Sequence, residues 1–102
     1  MKVGILGSGI VGQTLANGFI KHGHQVKIGT GNVNKLNDWI KNSGKSDAVG
    51  SFAEAAKFGD IIVLAVKGTA AKTVLEKAGP ENLKKKIIID TTNPIADAAP
   101  VN

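Results

Sequence analysis

The residues of this chain best suited to chemistry are three glycines near its start. Gly7, Gly9 and Gly12 match the pattern G-x-G-x-x-G, between a short apolar run and a stretch with helical spacing. In such a strand-turn-helix unit the first glycine permits the tight turn, the second lets backbone N–H groups approach a pyrophosphate, and the third lets the helix pack on the strand. The helix N-terminus stabilises the same anion. The spacing therefore predicts a dinucleotide site formed by Gly7, Ser8, Gly9, Ile10, Val11 and Gly12.

A purely structural turn is the alternative interpretation, because glycine-rich hexapeptides also occur by chance. The context favours the site, since the motif follows a predicted strand, opens a predicted helix and leads into a second strand.

Predicted strands and helices alternate along the chain. Apolar runs predict strands at residues 3–6, 25–28, within 45–50, at 61–66 and at 86–89. Helical spacing predicts helices after the glycine-rich turn and at residues 33–42, a third with a Ser51–Glu54 capping box that ends near Gly59, and a fourth from a Thr69 cap to Lys77. This alternation predicts a three-layer α/β, doubly wound Rossmann-like fold with a parallel sheet of order 3-2-1-4-5. Its ligand crevice lies at the carboxyl ends of the strands.

Composition limits the possible functions. At 102 residues and 42% hydrophobic content, the chain is predicted to be a single domain, residues 1–102. It has no cysteine, which excludes disulfides and cysteine-ligated metals and fits a cytoplasmic location. The apolar run at 61–66 is too short to span a bilayer, and no signal peptide is predicted.

The charged and aromatic residues argue against several other classes. All thirteen basic residues are lysines, and the scarcity of aromatic residues adds to the case against a nucleic-acid reader. The absence of tyrosine excludes a Tyr-x-x-x-Lys dehydrogenase site. His22 and His24 flank the start of the second strand, opposite the expected crevice, so neither is predicted to be a base or a metal ligand. The residues identify no catalytic group.

The end of the second strand indicates which dinucleotide binds. An Asp or Glu there would accept hydrogen bonds from the ribose 2′-OH of NAD, but the chain reads Gly29-Thr30-Gly31-Asn32. A 2′-phosphate would meet no repulsion, Thr30 and Asn32 could donate hydrogen bonds to it, and Lys35 could supply a counter-charge. NADP is therefore favoured over NAD. The alternative is that Thr30 and Asn32 are ordinary turn and cap residues.

Four segments together resemble the F420-dependent NADP oxidoreductase family: KVGILGSGIVG, IGTGNVNK, DIIVLAVK and IIIDTTNPI. The resemblance covers nearly the whole chain and implies hydride transfer between NADP and a deazaflavin or similar acceptor. In that family the second strand commonly ends in Ser-Arg, with a Lys after three further residues, and these residues grip the 2′-phosphate and the adenine. Here Thr30 replaces the Ser, Gly31 stands in place of the Arg, and Lys35 matches the Lys. Lys67 occupies a position that is proline in many relatives.

Two hypotheses follow. The first is the NADP-binding half of an oxidoreductase, in which Ala65, Val66, Asn93 and Pro94 border the nicotinamide and the Lys67 ammonium reaches a phosphate, the acceptor or solvent. The second is a non-catalytic NAD(P)-binding or sensing module; a methyltransferase is a distant third, because its usual acidic residue after the second strand is missing. Family members continue past the Asn-Pro turn into a region that shapes the acceptor site and a homodimer. We therefore expect this chain to lack that region.

Overall fold

The computed structural model describes residues 1–91 and contains one parallel sheet. Its strands are β1 (Lys2–Leu6), β2 (Gln25–Gly29), β3 (Val49–Gly50), β4 (Ile61–Leu64) and β5 (Ile87–Asp90). The helices are α1 (Ile10–Lys21), α2 (Asn37–Ser43), α3 (Phe52–Phe58), α4 (Gly68–Ala78) and α5 (Pro80–Leu83), with 3₁₀ turns at Val33–Leu36 and Ser46–Ala48. The strand order is β3-β2-β1-β4-β5, which confirms the predicted doubly wound topology.

Two hydrophobic clusters give the three layers. On one face of the sheet, Val3, Ile5 and Ile28 pack under α1 and α2, and Trp39 belongs to this core. The Trp39 indole N–H donates to Asn17 Oδ1 at 2.8 Å, so its buried polar atom is satisfied. On the other face, Leu6, Ile62 and Leu64 pack against small and apolar residues of α3 and α4. Because strand side chains alternate between faces, β1 contributes Val3 and Ile5 to one core and Leu6 to the other.

Three element boundaries differ from the predictions. β4 ends at Leu64, not at residue 66, because its partner β1 ends at Leu6, with which Leu64 is in register. The helix predicted at 33–42 is divided into a 3₁₀ turn and α2. The prediction of Thr69 as a cap was wrong, because Lys67 is the N-cap of α4 and makes no side-chain capping bond.

The capping box at the start of α3 is confirmed. The Ser51 backbone N–H donates to Glu54 Oε1 at 2.9 Å, and the Glu54 N–H donates to Ser51 Oγ at 3.1 Å. Hydrogen bonds from the backbone and side chain of Ser51 hold the pKa of the Glu54 carboxyl below its usual value. The stabilisation from this carboxylate is therefore fully present above its unfolded-state pKa and is lost as the pH falls through the lowered value.

Both histidines lie away from the carboxyl ends of the central strands. His22 is exposed and His24 is half-buried beside Phe19, at the amino end of β2 as predicted.

In residues 1–91, no helix is both long enough and apolar enough to cross a bilayer.

Candidate functional site

The carboxyl ends of the strands open into one large cavity of about 1100 Å³, which we call the carboxyl-edge cavity. This volume is slightly above the range of about 300–1,000 Å³ usual for small-molecule sites. Of the residues predicted for the cofactor, those that line it are Gly7, Ser8, Gly9, Ile10, Val11, Thr30, Gly31, Asn32, Lys35, Ala65, Val66 and Lys67. The predicted positions Asn93 and Pro94 lie outside the described residues.

The glycine-rich loop lines this cavity. Two hydrogen bonds fix its backbone: the Gly7 N–H donates to the Gly29 carbonyl at 2.9 Å, and Gln13 Nε2 donates to the Ser8 carbonyl at 2.9 Å. Helix α1 begins at Ile10 with Gly9 as an N-cap that makes no side-chain bond. The first-turn N–H groups therefore have no side-chain acceptor from the cap, as an anion site at a helix N-terminus requires.

The first turn of α1 also exposes apolar surface to the cavity. Ile10 is 84% and Val11 is 56% exposed, although both are large aliphatic residues. Clusters of exposed apolar side chains in a concave surface are typical of ligand sites.

Gly12 does not line the cavity, unlike the other five residues that the motif predicted for the cofactor. It is buried in the third position of α1, where a Cβ would overlap the carbonyl oxygen of Gly7 and lie 3.6 Å from Ile5 Cγ2. Its role is to bring α1 onto β1, because the helix turns this position toward the strand.

Thr30 links the two loops that meet at the cavity. It is only 5% exposed, and its hydroxyl accepts a bond from the Asn32 N–H at 3.1 Å. Its single hydrogen has two acceptors, Ser8 Oγ at 2.9 Å and the Asn32 carbonyl at 3.1 Å. When Thr30 donates to Ser8, the Ser8 hydroxyl hydrogen is available to a ligand. Asn32 Oδ1 accepts from the Asn34 N–H at 3.0 Å, so its carbonyl end caps the 3₁₀ turn and its amide nitrogen is the end that can donate to a ligand.

The charged side chains among the described residues that line the cavity are all positive. Lys35, Lys67 and Lys77 line it, and no Asp or Glu is among the described lining residues. Lys67 is exposed, so its ammonium remains hydrated. Three cations without a carboxylate favour an anionic ligand.

Sequence reasoning missed one wall of the site. The missed lining residues are Phe52, Thr91 and a stripe of α4 formed by Thr69, Ala70, Thr73, Val74 and Lys77. The helical spacing of these α4 residues is visible in the sequence. Such spacing predicts a helix, but it does not show which face of the helix lines a ligand site. Thr91 is tied to the end of β4, because its hydroxyl donates to the Leu64 carbonyl at 2.6 Å.

Among solved structures, a candidate F420-dependent NADP-reductase from Arthrobacter sp. FB24 aligns with a TM-score of 0.80 and 33% identity, covering 92% of this chain and 46% of that one. An imine reductase from Streptomyces aurantiacus aligns with a TM-score of 0.74 and 18% identity, covering 90% of this chain and 32% of that one, and this likeness shows the fold alone. The chain thus spans less than half the length of either structure. A search of curated proteins found no match.

The family comparison agrees with this geometry and covers most of the chain. Residues 2–94 match the model of the family described as NADP oxidoreductase, coenzyme F420-dependent. The match includes the glycine-rich loop and all five strands of the sheet. The chain therefore belongs to this F420-dependent NADP oxidoreductase family, and its sheet and glycine-rich loop are those of an NAD(P)-binding oxidoreductase domain.

Proposed function

We propose that this chain binds NADP(H) along its carboxyl-edge cavity as the cofactor-binding domain of an enzyme that transfers hydride between NADP(H) and a deazaflavin or similar acceptor. The observation that carries the proposal is the glycine-rich loop with the uncapped N-terminus of α1, in a cavity that holds lysines and no described carboxylate. An open helix N-terminus and cationic walls match a pyrophosphate and a third phosphate.

The residues at the end of β2 account for the preference for the phosphorylated cofactor. NAD-specific sites place a carboxylate where this chain has the Thr30 hydroxyl, already bonded within the loop. A 2′-phosphate in this corner would receive hydrogen bonds from Ser8 Oγ and from the Asn32 amide, with Lys35 on the same cavity wall as the balancing charge. The site fits NADP because each of these groups can donate a hydrogen bond and none of them is an anion.

The chain contributes to hydride transfer mainly by positioning. When bound, NADPH supplies the hydride, and the cofactors carry the redox chemistry themselves. The backbone around Ala65 and Val66 is fixed at the end of β4, since the Ala65 N–H donates to the Leu6 carbonyl at 2.8 Å. We expect the largest contribution to the rate to come from holding the nicotinamide in one orientation. Reactants that are already aligned do not lose further translational and rotational entropy in the reaction step.

We predict that NADPH binds at least about tenfold more tightly than NADH, and that Lys35→Met removes about fivefold of NADPH affinity without changing NADH affinity. The reason is that, in the proposed binding mode, Lys35 balances the charge of the 2′-phosphate, which NADH lacks. Titration by nicotinamide fluorescence measures both ligands. Lys41→Met is a matched control, because Lys41 is an exposed lysine of α2 that does not line the cavity. Equal NADPH and NADH affinities in the unmodified chain would rule out the NADP assignment.

A hydride-transfer assay separates the enzyme from the non-catalytic sensing module. The chain is mixed with NADPH and oxidised deazaflavin, and loss of the deazaflavin absorbance is followed. The same assay on a longer protein that carries this domain gives the rate when an acceptor region is present. NADPH binding without transfer in both proteins would support the sensing module.

A further inference from the structure

We propose that Phe52 is the stacking platform for the adenine of the bound dinucleotide, exposed to the ligand because residue 31 is glycine. This inference rests on the proposed function and adds a base-binding subsite to it. Phe52 is the one aromatic side chain among the described residues that line the carboxyl-edge cavity.

The contact between Gly31 and Phe52 is the first observation. A Cβ built on Gly31 would lie 3.5 Å from Phe52 Cε2, so the edge of the ring is directly beside a backbone that carries no side chain. Any longer residue at position 31 would extend across or alongside the ring. Gly31 therefore leaves the ring accessible from the cavity.

The ring is also held in place. Phe52 is the first residue of α3, between Ser51 and Glu54 of the capping box, and it is only partly buried. Its buried part packs against the cluster that contains Leu6 and Val74. An aromatic side chain with one part packed and another part open offers a rigid surface, which reduces the entropy cost of binding.

The position of Phe52 along the cavity fits a base. If the pyrophosphate lies at Gly9 and the 2′-phosphate lies near Thr30 and Lys35, the adenine extends from the ribose past Gly31. Phe52 lies on that side, and α4 provides Ala70 and Val74 on the cavity wall. Planar bases stack on aromatic and apolar surfaces of this kind.

The test is Phe52→Leu, which keeps an apolar side chain but removes the ring. We expect about tenfold weaker binding of both NADPH and adenosine 2′,5′-bisphosphate, a probe that has the adenine and the 2′-phosphate but no nicotinamide. Phe58→Leu is the matched control on the same helix, because the Phe58 ring lies near the Lys2 and Lys27 ammonium groups and not in this cavity. Thermal unfolding of both variants establishes that they are folded.

A second experiment uses Gly31→Arg. The new guanidinium would stand between the ring and the ligand, so Phe52→Leu in that background should change NADPH affinity less than about twofold. Unchanged NADPH affinity in folded Phe52→Leu would overturn the inference and leave the proposed function intact. Failure of the unmodified chain to bind NADPH would overturn both.

Phe52→Trp keeps the test decisive if the leucine variant does not fold. The new indole would lie at the cavity, whereas the natural Trp39 is only 6% exposed. Adenosine 2′,5′-bisphosphate should quench the emission of the new indole by stacking on it. A folded tryptophan variant whose emission does not respond to saturating bisphosphate would refute the platform.

Discussion

Replacing Gly9 with valine should abolish dinucleotide binding and leave the fold intact, with NADPH affinity reduced by about a hundredfold or more. Apart from its two chain neighbours, a Cβ at Gly9 would meet no described atom within 4 Å, because that side of the loop faces the carboxyl-edge cavity. The valine would occupy the space of the pyrophosphate and separate it from the N–H groups at the start of α1. The loss of two hydrogen bonds to a charged group, each about 1.5–3 kcal/mol, corresponds to this reduction.

Calorimetric titration with NADPH, together with thermal unfolding, tests this expectation. Gly18→Val is the matched control, since a Cβ at Gly18 also meets open space but the residue does not line the cavity. The control should bind NADPH as the unmodified chain does. If Gly9→Val bound NADPH normally, the glycine-rich loop would not be the pyrophosphate site.

Replacing Gly7 with alanine should instead damage the fold itself, with a loss of about 3 kcal/mol or more in the free energy of unfolding. Gly7 has φ +133°, a conformation that side chains rarely adopt. The added Cβ would also overlap the carbonyl oxygen of Ala65 and lie 3.0 Å from Val66 Cγ1. A rigid backbone cannot move aside cheaply, and a domain of this size has only about 5–15 kcal/mol of total stability.

Urea denaturation measures the effect, and Gly9→Ala in the same loop is the control. The control adds the same methyl group in open space, so its free energy of unfolding should change by less than about 0.5 kcal/mol. A Gly7→Ala variant as stable as this control would show that the loop relaxes around the methyl group. The cost of a side chain at Gly7, in free energy of unfolding, would then be smaller than its surroundings indicate.

The strands, the topology and many of the residues that line the cavity followed from local features of the sequence. Gly7, Gly9 and the apolar run before them specify a strand-turn-helix because backbone conformation and side-chain period are set by neighbouring residues. The absence of a carboxylate directly after Ile28 is likewise evident from the sequence alone. Trp39 lies in the core for the same reason, because the helical spacing of Leu36, Trp39 and Ile40 puts it on an apolar face.

Only the tertiary structure decided which distant residues complete the cavity. The ring of Phe52 beside Gly31, the hydrogen bond between Ser8 and Thr30, and the α4 stripe that ends at Lys77 join segments far apart in the chain. These contacts depend on how each helix is rotated when it packs on the sheet, and that rotation is set by the whole core. The length of β4 also depended on its partner β1, since a parallel ladder ends where either strand leaves the sheet. The sequence by itself therefore determined the glycine-rich loop, whereas the packing of α3 and α4 determined the other walls of the carboxyl-edge cavity.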